Sequence, residues 1–217
     1  MHTSLTRTLL PRIRTLTRIL NTQFLILLLV KVLIECCNNT PYEDGGFDSN
    51  GCGGGGVQGP AECVTTMGAV PSNVGHPYVS GKTATTDNST CSFHKSSAAG
   101  FVDTWFMPCD SGDETCLQNL IGGDDCVHFY ATAVKTSIEV IDSFRDYKSG
   151  VYSDPDCPND KHNHAVAIVG FGTDVESGMD YWIVRNSWGD EWGDGGYIKM
   201  QKGVNLCCIA CENLIFQ

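Results

Sequence analysis

Two residues in the C-terminal part of the chain have the types and the setting for acid–base chemistry. His164 opens an apolar run, Ala165-Val166-Ala167-Ile168-Val169-Gly170-Phe171-Gly172, and Asn186 closes another, Tyr181-Trp182-Ile183-Val184-Arg185. Histidine has an unperturbed pKa of about 6.5, so it can take up and release a proton near neutrality. An asparagine amide can hold one ring nitrogen and so fix where the proton sits. If the two runs are neighbouring strands, both side chains emerge at one end of the sheet. Ser187-Trp188-Gly189, Glu191-Trp192-Gly193 and Gly195-Gly196-Tyr197 follow. Two indoles among so many glycines make a poor strand, but they can cover a polar pair and keep water from its hydrogen bond. Taken alone, His164 would read as a surface histidine.

The elements that must position these residues are strands. The run at 165–170 is β-type and ended by glycine, 181–185 is a second strand, and 196–200 is a third. Val134 to Tyr147 mixes β-branched residues with alternation. The spacing predicts an antiparallel sheet, with a barrel as its closed form, in the C-terminal half. Residues 43–60 are dense in glycine and read as loop, and residues 64–128 show little clear periodicity.

These motifs together resemble the papain family of cysteine proteases, in its cathepsin L-like branch. Asn163-His164-Ala165 through Gly172 is similar to the family's histidine motif. Tyr181 through Gly189, with Trp192-Gly193 and Gly195-Gly196-Tyr197, is similar to its asparagine motif. Ser143-Phe144, Tyr147-Lys148-Ser149-Gly150-Val151-Tyr152 and Asp156-Cys157 fit the same branch. So do Leu33-Ile34-Glu35-Cys36, Gly51-Cys52-Gly53-Gly54-Gly55 and, more loosely, His76-Pro77-Tyr78 with Cys91. The resemblance runs over about 33–217 and is dense from 143 to 209. It implies an α+β, papain-like two-lobe fold, with an incomplete helical first lobe and an antiparallel β-barrel-like second lobe. It implies a catalytic role for His164 as general base and for Asn186 as its orienter, with Trp188 as their shield. It further implies that Gly54 and Gly55 present backbone to an extended substrate. The implied partners are polypeptide substrates or inhibitors. The implied disulfides are Cys36–Cys91 and Cys157–Cys207; Cys109, Cys116 and Cys126 lie in a region without clear family pattern, where one pair among them fits the disulfide framework.

One part of the pattern is missing. In papain-like enzymes the nucleophilic cysteine lies about 130–150 residues before the histidine, which here points to roughly residues 14–34. Residues 1–35 contain no cysteine and no tryptophan, and no Gln-Gly precedes the expected site. Cys36 lies just outside the window in a Leu-Ile-Glu-Cys setting that matches a structural disulfide cysteine. The expectation is a cysteine-type endopeptidase by descent that is inactive as written. The alternative is a non-enzymatic pseudoprotease that binds peptides or inhibits.

Composition narrows the remaining classes. The formal net charge of -11 argues against nucleic acid as the main partner. Twelve cysteines in 217 residues read as a disulfide framework in an oxidising compartment, lysosomal or secreted. Cys208 and Cys211 form a C-x-x-C pair for which zinc is the rival reading, although no second close pair accompanies it. Asn88-Ser89-Thr90 is a glycosylation sequon. No cofactor is expected, and the chain is expected to be a monomer.

Residues 1–31 carry Arg7, Arg12, Arg14, Arg18 and Lys31 and no acid, and the stretch 24–34 is almost wholly apolar. Residues 1–32 therefore read as a leader distinct from a 33–217 peptidase domain. Three readings of the leader stand open: a signal or anchor, with 19–34 touching a membrane; a helix buried in the following lobe; or a stretch introduced by a gene-model error.

Overall fold

The structure is a computed structural model, and it describes residues 37, 55, 56, 58–71, 98–122 and 133–217. The chain divides into two compact units. One holds the described residues from Phe106 to Ile215. The other holds those up to Trp105 together with Phe216 and Gln217.

The smaller unit is organised by a helix, α1 (Gln58–Met67), and a two-stranded antiparallel sheet of β1 (Ala69–Pro71) and β2 (Ala98–Phe101). Ala61, Cys63 and Val64 form the buried face of α1. The helix stops at Gly68, whose φ of 67° is left-handed and whose N–H reaches back to the carbonyls of Val64 and Thr65. Glycine takes up that conformation without a Cβ clash, which makes it a common helix terminator. Cys37 is bonded to Cys63, and both pack with Val64, Val70 and Val102.

Apart from Trp105 and Phe216, which fall in the smaller unit, the larger unit is built, among the described residues, on a sheet of seven strands. In chain order these are β3 (Trp105–Phe106), β4 (Val134–Ile138), β5 (Val151–Tyr152), β6 (His164–Thr173), β7 (Asp180–Arg185), β8 (Tyr197–Gln201) and β9 (Asn213–Phe216). Their spatial order is β3-β9-β4-β6-β7-β8-β5. Helix α2 (Glu114–Gly122), the one-turn α3 (Asp142–Arg145) and a 3₁₀ turn (Leu206–Cys208) complete it. β6 pairs antiparallel with both β4 and β7, and β7 pairs antiparallel with β8. The core holds Leu117, Leu120, Ile138, Phe144, Ile168, Trp182, Val184, Ile198, Met200 and Ile209, all fully or almost fully buried. Burying each large aliphatic or phenyl side chain contributes about 1.5–3 kcal/mol.

The three strands expected from sequence are β6, β7 and β8, and the class is α+β. Two features differ from the expectation. Among the described residues the sheet is open, because it ends at β3 and β5 with no pairing between them. It is also mixed, because β5 runs parallel to β8. A strand of two residues offers too few ladder bonds to close a barrel. Helix α2 lies in the stretch read as lacking periodicity, and α1 starts in the glycine-dense stretch read as loop, which is helical from Gln58, and runs into the aperiodic one. Each buries only two or three side chains, too few for a 3.6-residue pattern to stand out. Residues 1–32, and with them the open readings of the leader, lie outside the described residues. Among the described residues no helix is long and apolar enough to cross a membrane.

Candidate active site

The antiparallel pairing of β6 with β7 brings the two motif residues together. Ala167 pairs with Arg185, so Asn186 stands one residue past the end of the ladder, beside the first residues of β6. His164 Nε2 lies 2.8 Å from Asn186 Oδ1. Asn186 is only 2% exposed, and its own N–H is bonded to the carbonyl of Gly196.

The polarity of this pair can be worked out. Asn186 Oδ1 also accepts the backbone N–H of Ser187 at 2.7 Å. A backbone N–H only donates, so the atom facing it must be the amide oxygen. That oxygen can only accept from the ring, so Nε2 carries a hydrogen. The neutral imidazole then keeps its lone pair on Nδ1, the nitrogen turned away from Asn186. Burial holds His164 below its ordinary pKa, the Asn186 bond works in the opposite direction, and the guanidinium of Arg145 adds to the lowering. At neutral pH the ring is therefore uncharged and able to accept a proton at Nδ1.

An aromatic group surrounds the pair. The Trp188 ring lies 5.0 Å from the His164 ring, and Trp192 meets Trp188 edge-on at 5.2 Å. Phe144 contacts both indoles, and Trp192 donates its indole N–H to the carbonyl of Arg145. Arg145 itself lies 5.8 Å from the Trp188 ring centre. Arg145 was not singled out from sequence, although it sits between the quoted Ser143-Phe144 and Tyr147 motifs.

The glycines of this loop have a steric reason. Arg185 reaches across it to the carbonyl of Gly195 and the carboxylate of Asp190. A Cβ on Gly196 would lie 2.0 Å from Arg185 Nη1, at a φ of +85°. Only glycine admits both the conformation and the approach.

A second polar cluster lies on β4. Lys135 Nζ donates to Ser137 Oγ at 2.7 Å, and Ser137 donates to Glu212 Oε2 at 2.6 Å. Burial lowers Lys135 to about 8, partly offset by Glu212.

Of the other residues expected from sequence, Cys157 is bonded to Cys207 and Cys109 to Cys116. Cys208 and Cys211 are bonded to each other, so the C-x-x-C pair is a disulfide and its sulfurs are not free for zinc. Among the described residues no group of His, Cys, Asp and Glu is placed to hold a metal ion. Gly55 is exposed. Gly54, Cys36, Cys91, Cys126 and Asn88 lie outside the described residues. The four disulfides found among the described residues fit an oxidising compartment.

The family model described as papain family cysteine protease matches residues 14–216. The chain belongs to that family. It is 36% identical over 162 residues to a cathepsin L of Sarcophaga peregrina, covering 75% of this chain and 44% of the relative. It is 36% identical over 181 residues to the thiol protease aleurain of Arabidopsis thaliana, covering 82% and 44%. The chain thus spans less than half the length of these curated relatives. Among solved structures, a digestive procathepsin L 3 from the Tenebrio molitor larval midgut superposes with a TM-score of 0.68 at 28% identity, covering 86% of this chain and 54% of that one. Bromelain from Ananas comosus, solved in complex with the E64 inhibitor, gives a TM-score of 0.64 at 25% identity, covering 86% and 76%. These papain-like neighbours share the α+β architecture.

Proposed function

We propose that this chain is a cysteine peptidase by descent that keeps the base and its orienting residue but, as written, lacks the nucleophile. The observation that carries the reading is the 2.8 Å bond between His164 and Asn186 beneath Trp188. In this reading His164 Nδ1 is the proton acceptor, Asn186 fixes the tautomer, and Trp188 keeps water from their bond. Gly54 and Gly55 present backbone to an extended polypeptide. In this reading the expected segment offers no thiol to that base, since residues 1–35 contain no cysteine and no Gln-Gly. Loss of the nucleophile from a hydrolytic triad costs about 10⁶ in rate, and loss of an oxyanion-hole donor about 10²–10³ more when it acts alone. The chain would then serve to bind polypeptides, in a lysosomal or secreted setting consistent with the disulfides.

A graft tests this reading. Residues 1–32 are replaced by a family-type segment carrying the glutamine, Cys-Gly-Ser-Cys-Trp and its helix. Cleavage of a fluorogenic peptide is expected to appear in the graft and to vanish when His164→Ala is added. A folded graft without turnover, or with turnover indifferent to His164, would overturn the assignment of His164 as base.

A further inference from the structure

The Cys208–Cys211 disulfide adds little to global stability through chain entropy. It closes a loop with two residues inside it, and a bridge over so short a loop removes little chain entropy from the unfolded state. The neighbouring Cys157–Cys207 bridge already anchors the same turn across a separation of 50 residues.

The backbone at this turn is also held in a costly conformation. Asn205, Cys207 and Cys208 have φ values of 48°, 54° and 66°, in the left-handed region that residues with a Cβ rarely occupy. Hydrogen bonds keep the turn in place: Asn205 Oδ1 accepts the Ala210 N–H, Cys207 O accepts the Glu139 N–H, and Ile209 O accepts the Thr136 hydroxyl.

The surroundings of the two sulfurs suit the reduced form as well as the oxidised one. Cys208 Sγ lies 3.2 Å from the carbonyl oxygen of Asn159, and Cys211 Sγ lies 3.4 Å from the same atom. In the disulfide these sulfurs have no hydrogen to donate. In the dithiol, either S–H finds an acceptor already in place. Asn205 Nδ2 lies 3.4 Å from Cys211 Sγ, where its N–H can stabilise a thiolate. Cys208 is 2% exposed, whereas Cys211 is half-buried and open to attack.

We propose that Cys208–Cys211 is a dithiol–disulfide exchange site, opened by a dithiol reductant while Cys157–Cys207 stays closed. A thiolate of the reductant attacks Cys211 Sγ, the Cys208–Cys211 bond breaks, and Cys208 leaves as a thiolate that is protonated and turns to the Asn159 carbonyl. The second thiolate of the reductant then attacks its own sulfur in the mixed disulfide and releases Cys211. Two electrons and two protons pass to the protein, and the reductant becomes a cyclic disulfide. The turn at 205–212 is freed from one tether. Because it rests on β4, whose Ile138 pairs with His164, the loosening lies next to the strand that begins at the base.

The test titrates the native chain with dithiothreitol, traps thiols with iodoacetamide and locates them by mass spectrometry. Cys208 and Cys211 are expected to be alkylated together at reductant concentrations at least about tenfold below those that open Cys157–Cys207, with the near-ultraviolet circular dichroism unchanged. Persistence of Cys208–Cys211 until Cys157–Cys207 opens, or alkylation only with loss of that signal, would overturn the proposal. Amide exchange over 205–212 is read on the same reduced sample and on a C208S/C211S variant. At least a tenfold acceleration in the reduced chain is expected. Exchange as slow as in the oxidised chain would refute the loosening.

Discussion

The amide of Asn186 makes two bonds through one oxygen, and that arrangement leaves His164 Nδ1 as the only ring nitrogen with a free lone pair. A ring kept neutral by burial should titrate below the ordinary histidine value of about 6.5. The expected NMR midpoint of His164 is therefore under 6.5. Asn186→Asp, which sets a carboxylate beside the ring, should raise it above that value. A wild-type midpoint at or above 6.5 would contradict the burial argument. The sign for stability follows from the same shift. The folded state binds the His164 proton more weakly than the unfolded state does, so this contribution is complete above about pH 6.5 and is lost as the pH falls through the lower folded value. His164 and Asn186 were legible in the sequence because each sits at the end of an apolar run inside a dense motif. Arg145 was not, because a single cation between two aromatic positions carries no pattern of its own.

Among the elements, β6, β7 and β8 could be read from apolar runs ended by glycine or by the motif residues. Helix α2 could not, because its sequence Glu-Thr-Cys-Leu-Gln-Asn-Leu-Ile-Gly buries only Leu117 and Leu120. Its first residue does work that no periodicity reveals. Glu114 accepts hydrogen bonds from the Trp182 indole at 2.7 Å and from the backbone N–H groups of Gly203 and Asn205. Trp182 is fully buried, so removing the carboxylate leaves its N–H without a partner. Glu114→Ala is expected to cost about 2–4 kcal/mol, a fall of roughly 4–16 °C in Tm, measured by thermal unfolding. A shift within about 1 °C would show that water replaces the carboxylate. The pairing of Cys208 with Cys211 was likewise open from sequence, since the same spacing serves zinc and disulfides alike.

For the whole molecule, family and fold were legible because the histidine and asparagine motifs are specific and lie in order along one sheet. Activity was less so, because it depends on a segment that would have to meet His164 from far away in the chain. His164 is bonded to Asn186 beside Trp188, and in the proposed reading these are the base, its orienting residue and their cover, with no thiol offered to them by residues 1–35, which contain no cysteine. Cys36 is the nearest cysteine to the expected window, in a setting that fits a structural bridge. The most direct measurement is covalent labelling of the unmodified, oxidised chain by an E-64-type epoxide, followed by intact mass. No adduct is expected at a concentration that labels a papain-family enzyme completely. A stoichiometric adduct that disappears in Cys36→Ser would make Cys36 the nucleophile and refute the absence of a thiol at His164.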